Sequence, residues 1–315
     1  MPAYDVLAVG TPVIDVFSQC DDSFIAAHNL VKGSTNFMPR EALDSLESEL
    51  GNKVFLRYPG DNGRNVCETV ARLGGKAAYA GKVGQDADSL MFEKSLTSNG
   101  AECFFDRKAK ATGKILCMIT GEAERTFAAD LAESEDFAME KLFGFEGTKF
   151  VFSTTITLLS RNKIGKATHT LFLRARARKM KTVLSLESPK MIHERRMDVK
   201  ELMRESDIVF MNEEERASLG VSHNFLSHLG SMVFLKNGAH GSTVYEHGKK
   251  PVLIPVQRVS RVVDTTGAGD AFAAGVLYGL SHGLSPTEAA KIGAKTGAAT
   301  VTLFGASLPH DFPVG

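Results

Sequence analysis

The chain has 315 residues, 43% of them hydrophobic, which is enough for one large core and a smaller appended unit. Its 37 Lys and Arg residues balance 37 Asp and Glu residues, so no nucleic-acid or anionic-membrane partner is expected. No apolar run approaches the roughly 20 residues that a membrane-spanning helix needs, which also argues against a membrane partner.

The cysteines and the N-terminus together predict a cytoplasmic location. Cys20, Cys67, Cys103 and Cys117 show no C-x-x-C spacing, so they are expected to be free thiols in a reducing compartment rather than metal ligands. The first residues also lack the basic start of a secretory signal.

The first 99 residues alternate between predicted strands and helices. Residues 4–10 are typical of a buried strand ending in a glycine turn. Residues 11–38 are expected to be largely irregular, with one short strand at 13–18. Beyond them the pattern predicts helices at 41–50, 65–73 and 88–99 and a strand at 77–83.

Residues 102–131 change character and predict an antiparallel insertion. Short β-type runs occupy 103–105, 114–120 and 125–129, and a turn separates the last two. From residue 149 the alternation resumes, which predicts an α/β fold with a parallel sheet covered on both faces. The strands are expected at 150–153, 182–186, 208–211 and 232–236, the helices at 163–177, 213–219 and 285–303, and a hairpin at 243–256.

The segment 264–272, Asp-Thr-Thr-Gly-Ala-Gly-Asp-Ala-Phe, is the most informative part of the chain. It is a glycine-rich turn that opens into a small, apolar helix, and a helix start presents unpaired N–H groups and a positive dipole end. A phosphate can approach such N–H groups closely, and Asp270 among them can act as a general base. This combination indicates phosphoryl transfer to a hydroxyl.

The simpler interpretation of the same segment is that Asp264 caps a helix and the glycines form an ordinary turn. The segment matches neither the Walker A pattern G-x-x-x-x-G-K-[ST] nor the dinucleotide pattern G-x-G-x-x-G.

Four separated segments, 10–15, 59–65, 212–215 and 264–272, together resemble the PfkB/ribokinase family of carbohydrate and nucleoside kinases over nearly the whole chain. The resemblance implies a ribokinase-like three-layer α/β sandwich with a mostly parallel central sheet and a small β lid. The large nucleotide-binding domain is expected to comprise 1–11, 39–99 and 132–315, and the lid 12–38 and 100–131.

The resemblance assigns roles to the glycine-rich segment and to the first strand. In the family the last Asp of the glycine-rich motif is the catalytic base, which implies Asp270, and the turn before it is the anion hole, which implies Gly267, Ala268 and Gly269. Asp15 matches the Asp that accepts hydrogen bonds from substrate hydroxyls, although an Asp after a strand is also a common turn or cap residue.

The segment 59–65 resembles the Gly-Gly-x-x-x-Asn substrate motif. Gly60 and Asn65 match, whereas Asp61 stands where a second glycine is usual. A carboxylate there can bind further hydroxyls or a cationic group and would repel a phosphate, unless Arg64 offsets it. Residues 61–63 can also be an ordinary turn.

Asn212 and Glu215 resemble the Asn-x-x-Glu motif that orients Mg²⁺ and phosphates, largely through water, which suits the few protein ligands that Mg²⁺ takes. The alternative is a charged helix start, since acidic residues interact favourably with the positive end of the helix dipole.

Lys236 and Gly238 resemble the loop that lies along ATP in the family; the alternative for Lys236 is a solvated loop lysine. Three stretches, 10–15, 125–132 and 184–189, are more similar to the adenosine-kinase branch. The second implies a phosphate-facing Arg125, whose alternative is a solvated charge on a hairpin.

The implied activity is ATP-dependent phosphorylation of a hydroxyl of an adenosine-like nucleoside or a small sugar, with Mg²⁺. The alternatives are a free-sugar kinase of ribose or fructose type and a non-catalytic nucleoside- or sugar-binding relative. The resemblance also allows a K⁺ site at Asp264 and Thr266, completed near Gly305 and Ser307, and a homodimer formed through the lid.

Overall fold

The protein is described by a computed structural model that covers residues 4–122, 124–131, 145, 147–160, 163–309 and 312. The predicted large-domain ranges 1–11 and 132–315 therefore include residues outside this coverage. Residue 132, the last of the stretch 125–132, also lies outside it.

The described strands form two sheets. In chain order they are β1 (Val6–Val9), β2 (Val13–Gln19), β3 (Thr35–Phe37), β4 (Val54–Gly60), β5 (Ala77–Lys82), β6 (Glu102–Asp106), β7 (Gly113–Ile119), β8 (Arg125–Asp130), β9 (Phe150–Thr154), β10 (Lys181–Ser185), β11 (Ile208–Asn212), β12 (Met232–Lys236), β13 (Ser242–Tyr245) and β14 (Val252–Ile254). The larger sheet has the order β14-β13-β12-β11-β10-β9-β1-β5-β6 and the smaller one β3-β8-β7-β2-β4.

The larger sheet is parallel from β12 to β6, and only the hairpin β13–β14 and its pairing with β12 are antiparallel. Both faces are buried, because alternate residues of one strand enter different cores: Val6 and Ala8 lie in one, Leu7 and Val9 in the other. The predicted parallel sheet is thereby confirmed.

Helices cover the larger sheet on both faces. The described α-helices are α1 (Asp22–Ala27), α2 (Arg40–Leu50), α3 (Asn62–Arg72), α4 (Ala87–Thr97), α5 (Thr155–Leu159), α6 (Lys163–Ala177), α7 (Pro189–Glu194), α8 (Arg196–Glu205), α9 (Glu213–Leu219), α10 (His223–His228), α11 (Ala268–Ser281) and α12 (Pro286–Thr300). Residues of α3, α11 and α12 lie in the core with Val6, and residues of α6 and α8 lie in the core with Leu7. Among the described helices, none combines the length and apolar character needed to cross a membrane.

Two strands lie in a different sheet from the one expected. β4, within the range 39–99 assigned to the large domain, pairs antiparallel with β2 in the smaller sheet. The sequence analysis predicted no strand there; β4 contains Pro59, and it is an edge strand, where a missing N–H is tolerated. β6, within the range 100–131 assigned to the lid, instead extends the larger sheet parallel to β5.

The smaller sheet is mixed rather than antiparallel. β2 pairs parallel with β7, and β3 pairs parallel with β8, while β7–β8 and β2–β4 are antiparallel. In the segment 11–38, the strand expected at 13–18 is confirmed as β2, but the expectation that the rest is irregular was wrong, because it contributes α1 and β3. These pairings join residues far apart in the sequence, and local patterns do not specify them.

Candidate functional site

The glycine-rich turn opens α11 as expected and leaves backbone donors free. Gly267 is the N-cap residue with φ +73°, and a Cβ added there would lie 2.2 Å from the Cβ of Ala306. Glycine is therefore required by both backbone conformation and space. The N–H of Ala268 donates to the Thr265 carbonyl oxygen at 3.3 Å. Within the described part of the chain, no acceptor is bonded to the N–H of Gly267 or Gly269, so two donors point out of the turn.

Asp270 lies buried in the first turn of α11 and is oriented by an amide from another helix. Its Oδ2 accepts a hydrogen bond from Nδ2 of Asn65 at 2.8 Å. Burial raises the pKa of Asp270 to about 6, while the Asn65 hydrogen bond and the charges of Lys236 and Arg64 act in the opposite direction. A carboxylate with a pKa near neutrality is suited to accept a proton in catalysis.

Asp61 caps α3 and ties that helix to the end of β1. Its Oδ1 accepts from the N–H of Arg64 and its Oδ2 from the N–H of Thr11, both at 2.9 Å. The backbone adopts φ +99°, where a non-glycine residue is strained. Burial raises the pKa of Asp61 to about 6. The charge of Asp270 also raises it, whereas the two backbone hydrogen bonds lower it. The expected substrate carboxylate is thus also a structural cap.

Glycines make room for the carboxylates of Asp15 and Asp61. A Cβ at Gly60 would lie 2.4 Å from Oδ2 of Asp15, and a Cβ at Gly10 would lie 2.5 Å from both carboxylate oxygens of Asp61. Burial and then the charge of Asp61 raise the pKa of Asp15 to about 7. Gly60 and Asp15, both expected in the site, therefore meet across the β2–β4 pairing.

The charge of Arg64 acts against the raised pKa values of Asp15 and Asp270 from a buried position. Its side chain is only 2% exposed and points into the protein, where it pairs with Glu68.

Glu187 is an acid of the site that sequence reasoning missed. It follows the carboxyl end of β10, and its Oε2 accepts from Nδ2 of Asn62 at 2.8 Å. Burial raises the pKa of Glu187 to about 8, with a further rise from the charges of Asp61, Asp270 and Glu215. Its position directly after a strand of the parallel sheet was the available signal, since the carboxyl ends of such strands meet at one edge.

Asn212 and Glu215 form a reciprocal capping box at the start of α9. The Glu215 N–H donates to Oδ1 of Asn212 at 2.8 Å, and the Asn212 N–H donates to Oε2 of Glu215 at 2.7 Å. Burial raises the pKa of Glu215, although the nearby charge of Lys236 lowers it. Both the structural and the expected electrostatic role are therefore compatible with the geometry.

Lys236 lies over the glycine-rich turn. Its Nζ is 2.9 Å from the position that a Cβ of Gly269 would occupy, and its charge acts on both Asp270 and Glu215. A solvated loop lysine is thus the wrong interpretation. Gly238 begins the exposed turn Gly238–His240 with φ +56°, and among the described residues nothing approaches its Cβ position.

Oxygen ligands for Mg²⁺ are sparse. In the described ranges no group of three His, Cys, Asp or Glu side chains forms a metal site. Oε2 of Glu215 accepts the Asn212 N–H, and no described donor is bonded to Oε1. This donor set fits an ion that keeps most of its waters and takes few protein ligands.

Arg125 of the smaller sheet lies close enough to Asp264, in the loop before α11, for their charges to interact. Arg125 is exposed at the start of β8. Burial alone would raise the pKa of Asp264, but hydrogen bonds from Thr266 and Gly305 and the charge of Arg125 hold it below the ordinary value. Thr266 donates to Oδ1 of Asp264 through its N–H at 3.0 Å and its hydroxyl at 2.8 Å. The Ser307 hydroxyl instead contacts Glu68 and Tyr58.

An apolar surface adjoins Asp15 on the smaller sheet. Phe17 lies two residues after Asp15 on β2 and so shares its face, and Phe17 pairs with Leu56 and Cys117 on the neighbouring strands. Ile115 pairs with Asp15, and Phe127 pairs with Cys117. We name Phe17, Leu56, Ile115 and Phe127 the apolar lid face; all four side chains are half-buried.

The large, mostly parallel sheet, its helices and the second, smaller sheet give a ribokinase-like α/β fold. Residues 26–312 match the model of the pfkB family carbohydrate kinases, and the chain belongs to this family, whose members are phosphotransferases acting on hydroxyl groups.

Individual relatives include both nucleoside and sugar kinases. Adenosine kinase 1 of Arabidopsis thaliana is 23% identical, with 97% of this chain and 96% of that protein covered. A fructokinase of Klebsiella pneumoniae is 26% identical over 76% of this chain and 83% of that protein. The crystal structure of adenosine kinase from Sinorhizobium meliloti superposes with a TM-score of 0.84 at 27% identity, covering 97% and 96% of the two chains.

Proposed function

We propose that this protein is an ATP-dependent kinase that phosphorylates a hydroxyl of a nucleoside, with Asp270 as the general base. The observation that carries the proposal is the buried Asp270, oriented by Asn65 at 2.8 Å and adjoining the free N–H groups of the glycine-rich turn. A base and an anion cradle side by side are what transfer of a phosphoryl group to a hydroxyl requires.

In this mechanism Asp15, with Asn65, Gly60 and Asp61 beside it, holds the hydroxyls of the acceptor. Asp270 takes the proton of the attacking hydroxyl. The N–H groups of Gly267 and Gly269, with Lys236, hold the charge that develops on the transferred group. Arg125 faces the same turn from the lid, and Gly238 adjoins the nucleotide.

Kinases of this family use ATP, usually with Mg²⁺. Asn212 and Glu215 would hold Mg²⁺ through water, and the ion would neutralise the phosphate oxygens of ATP. A K⁺ ion at Asp264 and Thr266 stays a prediction, as do the cytoplasmic location and a homodimer through the smaller sheet, which we propose as the lid over the acceptor.

The apolar lid face favours a nucleoside over a free sugar. Its four half-buried side chains begin next to Asp15, and Phe304 of the C-terminal segment approaches Phe17 with ring centroids 6.5 Å apart. A ribose gripped by Asp15 would direct an attached base onto this surface, whereas a free sugar has no flat apolar group to cover it. The adenosine kinases among the relatives agree with this choice.

A free-sugar kinase is the second candidate, because fructokinases also occur among the relatives. A non-catalytic binding protein is the third, but it has no need of an oriented, buried Asp270.

The test is Mg-ATP-dependent ADP release with adenosine, other nucleosides, ribose, fructose and fructose 6-phosphate. We expect turnover with nucleosides in the wild type and a loss of about 10²–10⁴-fold in Asp270→Asn. Asp198→Asn, a remote surface variant, is the matched control. Turnover with free sugars alone would move the protein to the sugar kinases, and wild-type turnover in Asp270→Asn would remove the assigned base.

A further inference from the structure

Arg64 is a buried cation whose contacts lead to the proposed base. Its side chain is 2% exposed. Nη1 donates to Oδ1 of Asn65 at 2.8 Å, Nε donates to Oγ of Ser95 at 3.1 Å, and Nη2 pairs with Glu68 one helical turn further along α3. A buried charge is costly unless it is paired and hydrogen-bonded, and here both conditions are met.

The Arg64 contact determines which end of the Asn65 amide faces Asp270. Oδ1 of Asn65 accepts from the guanidinium, and Nδ2 donates to Oδ2 of Asp270 at 2.8 Å. The reversed amide would set NH₂ against a guanidinium that has only donors, and oxygen against a carboxylate that has only acceptors. Both hydrogen bonds would be lost at once.

Glu68 in turn fixes Arg64 to a second part of the site. Oε1 of Glu68 accepts from the hydroxyl of Ser307 at 2.8 Å, and Oγ of Ser307 lies 2.6 Å from the hydroxyl of Tyr58 on β4. The ring of Tyr58 lies under the Arg64 guanidinium, 5.1 Å from centroid to Cζ. The pair therefore sits in a network that spans α3, β4 and the C-terminal segment.

We propose that Arg64 is a positioning residue of the kinase reaction, which holds the Asn65 amide so that its NH₂ group stays on the carboxylate of Asp270. This inference rests on the proposed role of Asp270 as base. Loss of Arg64 removes the orientation of the amide and a positive charge from the neighbourhood of Asp270, and both changes disfavour the ionised base.

Several other charges face Asp270 and remain in every variant. Lys236 on β12 lowers its pKa, while Asp61 on α3, Glu187 after β10 and Glu215 on α9 interact with it as like charges. The pH at which Asp270 titrates reflects all of them, so only differences between variants report on Arg64.

The experiment compares Arg64→Met and Glu68→Gln by two readouts: the acidic limb of the pH profile of kcat/KM, and ¹³C-carboxyl NMR titration of Asp270 in the free protein. The Asp270 resonance is assigned by its absence from Asp270→Asn. Arg64→Met is expected to move the titration up by about one pH unit and to lower kcat. Glu68→Gln is expected to move it down, because the charge of Arg64 is then less neutralised.

Arg72→Met is the matched control. Arg72 also approaches Glu68, at 3.8 Å, but donates to the carbonyl oxygens of Leu308 and Pro309 and not to Asn65. The Arg72→Met variant should leave the pH at which Asp270 titrates unchanged. If Arg64→Met fails to fold because Glu68 is left unpaired, the double variant Arg64→Met/Glu68→Leu replaces the pair by apolar groups of similar size. We expect that variant to keep the upward displacement.

Unchanged titration of Asp270 in folded Arg64 and Glu68 variants, or displacement in the same direction by both, would overturn the proposal and leave Arg64 a structural residue. The NMR readout needs no turnover. Full activity of the Asp270→Asn variant would refute Asp270 as the base. The NMR titration would still test the effect of Arg64 on the Asp270 carboxylate.

Discussion

At the scale of single residues, the site is a set of carboxylates forced together out of water. Burial is the first cause of the raised pKa values of Asp15, Asp61, Glu187 and Asp270, to about 7, 6, 8 and 6 respectively. The charge of Arg64 acts against the raised pKa values of Asp15 and Asp270, and the charge of Lys236 acts against that of Asp270. Activity and stability should therefore both depend on pH near neutrality, in opposite directions.

We expect kcat/KM to fall as pH decreases through about 6, because Asp270 must be ionised to accept a proton and its pKa is about 6. The coupled acids make this an apparent value for the group as a whole. A pH-rate profile between pH 5 and 8.5, with stability checked at each pH, measures it. A rate that stays constant down to pH 5 would contradict the assignment.

Lys236→Met should raise the KM for ATP and displace the acidic limb to higher pH. The reason is that the ammonium over Gly269 acts on both the phosphate site and Asp270. Steady-state kinetics at several pH values separates the two effects. Lys249→Met, which loses only an exposed ion pair with Glu246, is the control, and equal kinetics in the two variants would refute the role.

At the scale of elements, the start of α11 is held by the segment that follows α12. Gly267 has φ +73° and packs against Ala306, while the N–H of Gly305 donates to Oδ2 of Asp264 at 3.1 Å. The glycine-rich turn is thus shaped by a contact between residues about forty positions apart, and its geometry should be sensitive to that contact.

Gly267→Ala should destabilise the protein by about 1–3 kcal/mol and abolish most turnover, because a Cβ adds backbone strain and overlaps Ala306. Gly248→Ala is a matched control: its φ is +71°, and no atom lies within 4 Å of the added Cβ. Denaturant unfolding of both variants isolates the Ala306 contact. Equal free-energy losses in the two would show that strain alone matters.

At the scale of the whole molecule, different elements bring different groups to the candidate site. Glu187 follows β10 of the larger sheet and the glycine-rich turn opens α11, while the smaller sheet carries Asp15 beside the apolar lid face. Recognition of the hydroxyls by Asp15 and of the base by Phe17 would thus come from two positions on the same face of one strand, β2.

Phe17→Ala should raise the KM for nucleosides by about ten-fold or more, through loss of apolar contact with the base, and leave kcat much less affected. Leu90→Ala, which truncates an exposed apolar residue on α4, is the control. Kinetics with adenosine for both variants decides the point. An unchanged KM in Phe17→Ala would remove the apolar lid face from the acceptor site.

Glu187→Gln should raise the melting temperature at pH 8 and flatten its pH dependence. The folded-state pKa of Glu187 is raised from 4.5 to about 8. Its stabilising contribution is therefore present below pH 4.5 and is lost as pH rises to 8. Thermal unfolding at pH 5 and pH 8 measures this, with Glu194→Gln as the control. A lower melting temperature at pH 8 would instead show that the ionised Glu187 stabilises the fold.

The sequence by itself determined the parallel α/β fold and the starts of α11 and α12, because these depend on local periodicity and helix-end chemistry. Tertiary structure alone decided that β4 belongs to the smaller sheet and β6 to the larger one. It also decided that Glu187 lies in the site and that the Arg64 side chain is buried against Asn65. Each of these depends on contacts between distant segments and on burial, which residue order does not encode locally.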